Sequence, residues 1–119
     1  MTYFPDFSAY TYTPNDKTGA LNIGWLDASQ PFQSGTTRSE FHAGLALLCS
    51  RPILLHRGRH ECQFCRNAWG NGQVRVVGAD GRLYAAPTLV HHYVVEHHYK
   101  PPEEFILAVI AMAGIRPPT

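Results

Sequence analysis

Residues 60–65 read HECQFC, and residues 91–99 read HHYVVEHHY. The first stretch holds a C-x2-C pair, formed by Cys62 and Cys65, and the second holds four of the seven histidines of the chain. Two cysteines at this spacing form a tight knuckle that commonly supplies two of the four ligands of a tetrahedral zinc ion. The two stretches are therefore predicted to be the halves of one metal site.

The elements predicted between the two stretches favour zinc over a redox dithiol. Residues 73–87, QVRVVGADGRLYAAP, predict a β-hairpin with its turn at Asp80-Gly81. Pro87 suits the first turn of a helix, and this helix carries the histidines. A redox C-x-x-C is instead expected at the start of a helix in a βαβ setting. Knuckle, hairpin and helix is the order of treble-clef zinc domains, so residues 58–100 are predicted to form a treble-clef-like zinc-binding unit.

Helix geometry separates the four clustered histidines. His92 and His97 form an H-x4-H pair, a spacing found in zinc fingers. On an ideal helix they lie about 140° apart, so the last turn has to loosen, for example into a 3₁₀ turn. His91 and His98 lie about 10 Å apart along the axis, too far for one ion to bind both. The predicted Zn²⁺ ligands are Cys62, Cys65, His92 and His97.

The remaining histidines receive other predictions. His60 lies two residues before the knuckle, and it is the reserve ligand or a hydrogen-bond partner of a ligand. His91 and His98 are assigned to a solvated face of the helix. His42 and His56 are interpreted as ordinary surface or helix-cap residues.

Two further helices are predicted outside the zinc-binding unit. The first spans residues 37–49, where Thr37 and Glu40 have capping-box spacing. Cys49 lies beside its apolar face and is interpreted as a small buried hydrophobe. The second spans residues 102–113 and is apolar nearly all round, which indicates a helix that is buried in the core or partly covered by a partner.

The amino-terminal segment and the composition complete the predicted architecture. Residues 1–20 are rich in aromatic and turn-forming residues and predict an irregular arm packed by its rings, followed by a strand within residues 20–26. The chain has 119 residues, of which 45% are hydrophobic and 16% charged, as in a single globular domain. The sequence thus predicts one α+β domain over residues 1–119.

Composition also bears on partners and location. The net charge is +1 and the basic residues are scattered, which argues against a dedicated nucleic-acid surface. Residues 1–12 lack the basic start and apolar run of a signal peptide. The longest apolar stretch, residues 105–115, is about half as long as a membrane span. We therefore expect a cytoplasmic protein that does not enter membranes.

The same residues resemble a family of small bacterial proteins known mainly as a domain of unknown function. The resemblance covers almost the whole chain and is carried by RGRHECQFC at residues 57–65 and by the run YAAPTLVHHYVVEHHYKPPEEFILAV at residues 84–109. The segment between Cys65 and Gly70 is shorter than the family pattern leads one to expect. The resemblance implies a metal site and a compact α+β fold, and it brings no settled activity. The recurrent positions of the pattern correspond to His60, Cys62, Cys65, His92 and His97.

These features favour a small zinc-binding protein with a structural Cys2His2 site that acts through a protein partner, as a regulatory or immunity-type module. The predicted contact surfaces are the apolar last helix, which could also form a homo-oligomer, and the aromatic side chains of the arm. Those aromatic residues are Tyr3, Phe4, Phe7, Tyr10 and Tyr12.

Two alternative functions stay open. If only three protein ligands bind, a water would complete an open zinc site in a metal-dependent hydrolase or nuclease, with Glu96 as the base. However, residues 73–77 lack the histidine that ββα-metal nucleases carry in this strand. Weak nucleic-acid binding is the third possibility, and residues 88–100 disfavour it because they offer one lysine and no arginine.

Overall fold

The computed structural model describes residues 3–11 and 18–114, and for residues 54–59 it describes the backbone alone. The described residues form an α+β domain of four strands and three helices. The strands make one sheet in the order β1-β4-β3-β2. In chain order the elements are β1 (Leu21–Asn22), α1 (Ser39–Cys49), β2 (Leu54–Glu61), β3 (Trp69–Val77), β4 (Leu83–Pro87), α2 (Val90–His97) and α3 (Glu103–Ala113).

Strand β3 lies in the middle of the sheet and pairs antiparallel with both β2 and β4. The β3–β4 hairpin closes where the N–H of Gly78 donates to the carbonyl of Arg82 at 2.8 Å. Its turn contains Asp80 and Gly81, where the sequence predicts it, and Gly81 supplies a φ of 85° that a side chain would disfavour. The outer edge of β4 pairs in parallel with the short strand β1.

Helices α1 and α3 pack closely side by side. Gly44 makes this approach possible, because a Cβ at this position would lie 3.2 Å from the Cβ of Ala113 and 3.3 Å from Cγ1 of Val109. Phe41 is fully buried and meets the ring of Phe105 edge-on, with the ring centroids 6.2 Å apart. These contacts tie both helices to the core above the sheet.

Three helix starts differ from the sequence prediction. The predicted capping box at Thr37 is wrong: α1 begins at Ser39 without a side-chain cap, and the Thr37 hydroxyl contacts Nε2 of His42 instead. Pro87 does not open a helix, because pairing with β3 continues to the end of β4 and α2 starts only at Val90. Helix α3 begins at Glu103, one residue later than predicted.

The amino-terminal arm packs against its own sheet. Phe4 pairs with Trp25 in an isolated bridge, and their rings meet edge-on with centroids 5.7 Å apart. Tyr10 is buried at 6% exposure, whereas Phe7 is 38% exposed. Residues 3–11 therefore form the predicted irregular arm packed by its rings. The rest of the chain covers most of the aromatic side chains of this arm. Tyr12 lies outside the described residues.

Helix α3 has a buried face and an outer face. Its buried face carries Phe105, Ile106, Ala108 and Val109. On the outer face, Leu107 and Met112 are each 51% exposed. The helix is thus a core element on one side, and its outer face leaves apolar side chains uncovered. Among the described residues, no helix is both long enough and apolar enough to span a membrane.

Candidate metal centre

The knuckle lies in the turn that connects β2 to β3. It is closed by backbone hydrogen bonds: the N–H of Arg66 donates to the carbonyl of Cys62, and the N–H of Cys62 donates to the carbonyl of Ala68, both at 2.9 Å. The N–H of Asn67 points at Sγ of Cys65, 3.4 Å away. Arg66 adopts a positive φ of 60°, which lets the chain reverse within the turn. These bonds set the backbone of the turn from which both cysteine side chains project.

Burial and backbone hydrogen bonds act against each other at Cys62. Burial raises the pKa of its thiol, and the backbone N–H groups of Cys65 and Phe64 partly oppose that rise because they favour the thiolate. Cys62 is fully buried, while Cys65 is half-buried. A cation beside both sulfur atoms would favour the thiolate in each case.

Helix α2 positions the two histidines at its first and last turns. The helix ends at His97, and the N–H of His98 donates to the carbonyl of Tyr93, five residues earlier. This bond is wider than the usual four-residue step, so the last turn loosens toward a π-type turn rather than the tighter 3₁₀ form. A wider turn reduces the angle between His92 and His97, and their ring centroids lie 5.0 Å apart.

Four ligand atoms converge between the knuckle and α2. Sγ of Cys62 lies 3.4 Å from Nε2 of His97, and Sγ of Cys65 lies 3.3 Å from Nε2 of His92. The two Nε2 atoms are 3.2 Å apart, and the four ligand atoms all lie within 4.8 Å of one another. Zinc bond lengths in a tetrahedron imply edges of roughly 3.5 Å between sulfur and nitrogen and roughly 3.4 Å between nitrogens. The four residues could therefore hold a metal ion.

Aromatic packing fixes the knuckle against the helix. Phe64, between the two cysteines, meets Tyr93 edge-on at 5.9 Å and packs against the ring of His97 at 5.2 Å. On its other side Phe64 contacts Phe32, at 5.4 Å. Sequence reasoning missed this role of Phe64. The contacts orient the His97 ring toward the sulfur atoms.

The state of the imidazoles suits metal binding. Burial lowers the pKa of His92, and the neighbouring His97 lowers it further. A neutral imidazole is the form that binds a metal. Glu96 raises the pKa of His92 by its charge, but it is exposed and is not part of the converging group.

The other predicted histidines lie outside this group. His60 pairs with Gly70 across β2 and β3 and lines a small cavity beside Trp25, and burial lowers its pKa. His98 is exposed and caps α2 in the left-handed conformation, with φ at 58°. His91 is half-buried, so its side chain is only partly solvated. The side chain of His56 lies outside the described residues.

Cys49 takes no part in the converging group. It is half-buried at the end of α1, and its sulfur accepts a hydrogen bond from the backbone N–H of His91. Burial raises the pKa of its thiol to about 12. The side chain therefore stays protonated and unreactive, in agreement with its interpretation as a small apolar residue.

Comparison with known families identifies one match. The profile of a family described as "Domain of unknown function (DUF7919)" matches residues 2–110 of the chain. No curated protein and no solved structure matches the chain.

Proposed function

Since the chain belongs to the DUF7919 family of unknown function, we propose its role from its own residues: it is a zinc-binding domain whose ion is structural. The proposal depends on one observation: two sulfur and two nitrogen ligand atoms lie within 4.8 Å of one another, and a zinc ion takes four ligands of these types. The ligands are Cys62, Cys65, His92 and His97.

The choice of zinc follows from the ligand types. Two thiolates and two imidazoles in a tetrahedron suit Zn²⁺, whereas magnesium and calcium prefer oxygen ligands and higher coordination numbers. Two thiolates cancel the charge of the ion, so the loaded site is close to neutral. Such a site can be covered by Phe64 and the buried Cys62 without leaving an unpaired charge.

The proposed ion joins two parts of the chain that are distant in sequence. It would hold the β2–β3 turn to α2, which has only eight residues and is too short to be stable on its own. Knuckle, hairpin β3–β4 and helix α2 follow one another in the order of a treble-clef unit. With four protein ligands, the ion keeps no position for a water, so it stabilises the fold and does not catalyse.

We propose that the domain acts by binding a partner protein, as a regulatory or immunity-type module. The uncovered apolar side chains of α3, Leu107 and Met112, and the 54% exposed Val77 on the adjacent hairpin support this role. Nucleic acid fits less well because α2, from Val90 to His97, carries neither lysine nor arginine.

Cobalt substitution tests the structural role of the ion. Metal analysis of the purified protein should give about one zinc per chain, and Co²⁺ should replace it with the intense visible bands of a tetrahedral S2N2 site. These bands should not change between about pH 6 and 8 or on addition of azide, because no water is bound. Bands that titrate or shift with azide would contradict the closed site. They would instead support the hydrolase alternative, which Glu96→Gln would then test.

A further inference from the structure

A groove runs between α3 and the turn of the β3–β4 hairpin. Its volume is about 490 Å³, within the range of sites that take a ligand or a few side chains. The apolar part of its lining comes from Val77 on the hairpin and from Leu107, Ala108 and Ala111 on α3. The small side chains at the last two positions allow another chain to approach the helix closely.

One end of the groove is polar. Both charged side chains that line it, Asp80 and Glu104, are acids. Asp80 pairs with Arg82 across the hairpin turn at 3.2 Å, and both of these side chains are more than half exposed. Glu104 is exposed on the first turn of α3. Arg82 offsets much of the charge of Asp80, so the negative charge at the polar end comes mainly from Glu104.

A buried hydroxyl lies at the same end. Tyr84 lines the groove and is fully buried, and among the described residues its hydroxyl has no hydrogen-bond partner. A Cβ at Gly78 would lie 3.2 Å from Oδ1 of Asp80 and 3.6 Å from this hydroxyl, so the two oxygens flank one small space. Burial raises the pKa of Tyr84, and Asp80 adds to the rise, while the nearby Arg82 partly opposes it; the hydroxyl keeps its proton. It remains a donor that an occupant can satisfy.

We propose that this groove binds a segment of a partner protein that presents an apolar side chain beside a lysine or arginine. The apolar side chain would cover the Val77–Leu107 region, and the cation would lie against Asp80 and Glu104. This inference rests on the proposed function as a protein-binding module and specifies the chemistry of the partner. It requires nothing of the metal centre, because β3 separates the two sites.

The groove and the metal centre lie at opposite ends of β3. The knuckle precedes Trp69 at one end of this nine-residue strand, and the groove begins at Val77 at the other. A strand of this length extends about 27 Å. Substitutions in the groove should therefore leave the zinc content unchanged, which separates a failure of this inference from a failure of the zinc proposal.

Nuclear magnetic resonance with three short peptides tests the proposal. Zinc-loaded, ¹⁵N-labelled protein is titrated with acetyl-Lys-Leu-Phe-Leu-Lys-amide and with versions in which both lysines are replaced by glutamine or by glutamate. The lysine peptide should shift amide signals within residues 77–84 and 104–111. It should bind about threefold more tightly than the glutamine peptide, the size expected for an exposed charge pair, and the glutamate peptide should bind least.

Matched variants locate the binding. Ala111→Phe fills the groove and should weaken binding of the lysine peptide at least about tenfold, whereas Ala46→Phe, at an exposed position on α1 away from the groove, should not. Glu104→Gln should remove the preference for lysine over glutamine, and Glu103→Gln, one residue away, should retain it. If Ala111→Phe lowers the zinc content or fails to fold, Ala111→Gln replaces it.

Several results would overturn the inference. They are the absence of shifts with every peptide at millimolar concentration, shifts confined to residues 62–68 and 90–97, and equal affinity for the lysine and glutamine peptides. Amide shifts in the groove that depend on protein concentration without peptide would identify a second copy of the chain as the occupant, and would also overturn it.

Discussion

Among single residues, the three cysteines give the sharpest comparison. Cys62→Ser or Cys65→Ser should each lose the zinc and lower the melting temperature by about 10 °C or more, because metal affinity contributes to folding stability. Cys49→Ser is the matched control, since its sulfur accepts a hydrogen bond from His91 that a hydroxyl can also accept. Metal analysis and thermal unfolding measure both effects. A Cys62→Ser protein with a full complement of zinc would refute the assignment.

The adjacent histidines at the end of α2 should respond in opposite directions. His97→Ala should lose most of the zinc affinity, as should His92→Ala. His98→Gly should keep the zinc and stabilise the protein by about 0.5–1 kcal/mol, because glycine adopts the left-handed conformation at the helix end without the strain of a side chain. Competition with a zinc chelator and denaturant unfolding give the two quantities. If His98→Gly loses zinc and His97→Ala keeps it, His98 and not His97 is the ligand.

At the scale of elements, α2 should depend on the ion more than the sheet does. Removing zinc with a chelator should speed amide exchange in residues 62–68 and 90–99 before it does so in β3 and β4, whose backbones are paired with each other. Val90 and Tyr93 are buried, so α2 should loosen rather than leave the core entirely. Hydrogen exchange with mass spectrometry reports each segment. Equal acceleration across the whole chain would show that the ion supports the fold globally and not α2 in particular.

Some features of these elements could be predicted from the sequence, and others could not. The hairpin turn at Asp80-Gly81 and the convergence of the knuckle with α2 follow from local signals, namely turn residues and helical spacing. The start of α1 did not follow, because Thr37 contacts His42 rather than a backbone N–H. Strand β1 has two residues, and its partner is β4, so no local pattern predicts the pairing. The groove was missed for the same reason, since it exists only where α3 meets the hairpin.

Within the whole molecule, the metal centre and the groove should be energetically independent. Cys65 lies in the knuckle before β3, and Leu107 lies on α3 beside the other end of that strand. No described contact joins the two residues. The effects of Cys65→Ser and Leu107→Ala on the free energy of unfolding should therefore add within about 0.5 kcal/mol. Denaturant unfolding of the two single variants and the double variant measures the coupling. A larger coupling would mean that the sheet transmits strain between the two ends.

The pairing of β1 with β4 has a consequence for synthesis on the ribosome. Leu21 pairs with Tyr84, and the indole N–H of Trp25 donates to the carbonyl of Ala85 at 3.0 Å. The partner of the first strand is therefore translated about sixty residues after it. At roughly 5–20 residues per second, β1 waits several seconds without its partner strand β4. During that interval the arm can already pair with residues 20–25, whereas the indole N–H of Trp25 has no backbone partner until β4 leaves the exit tunnel.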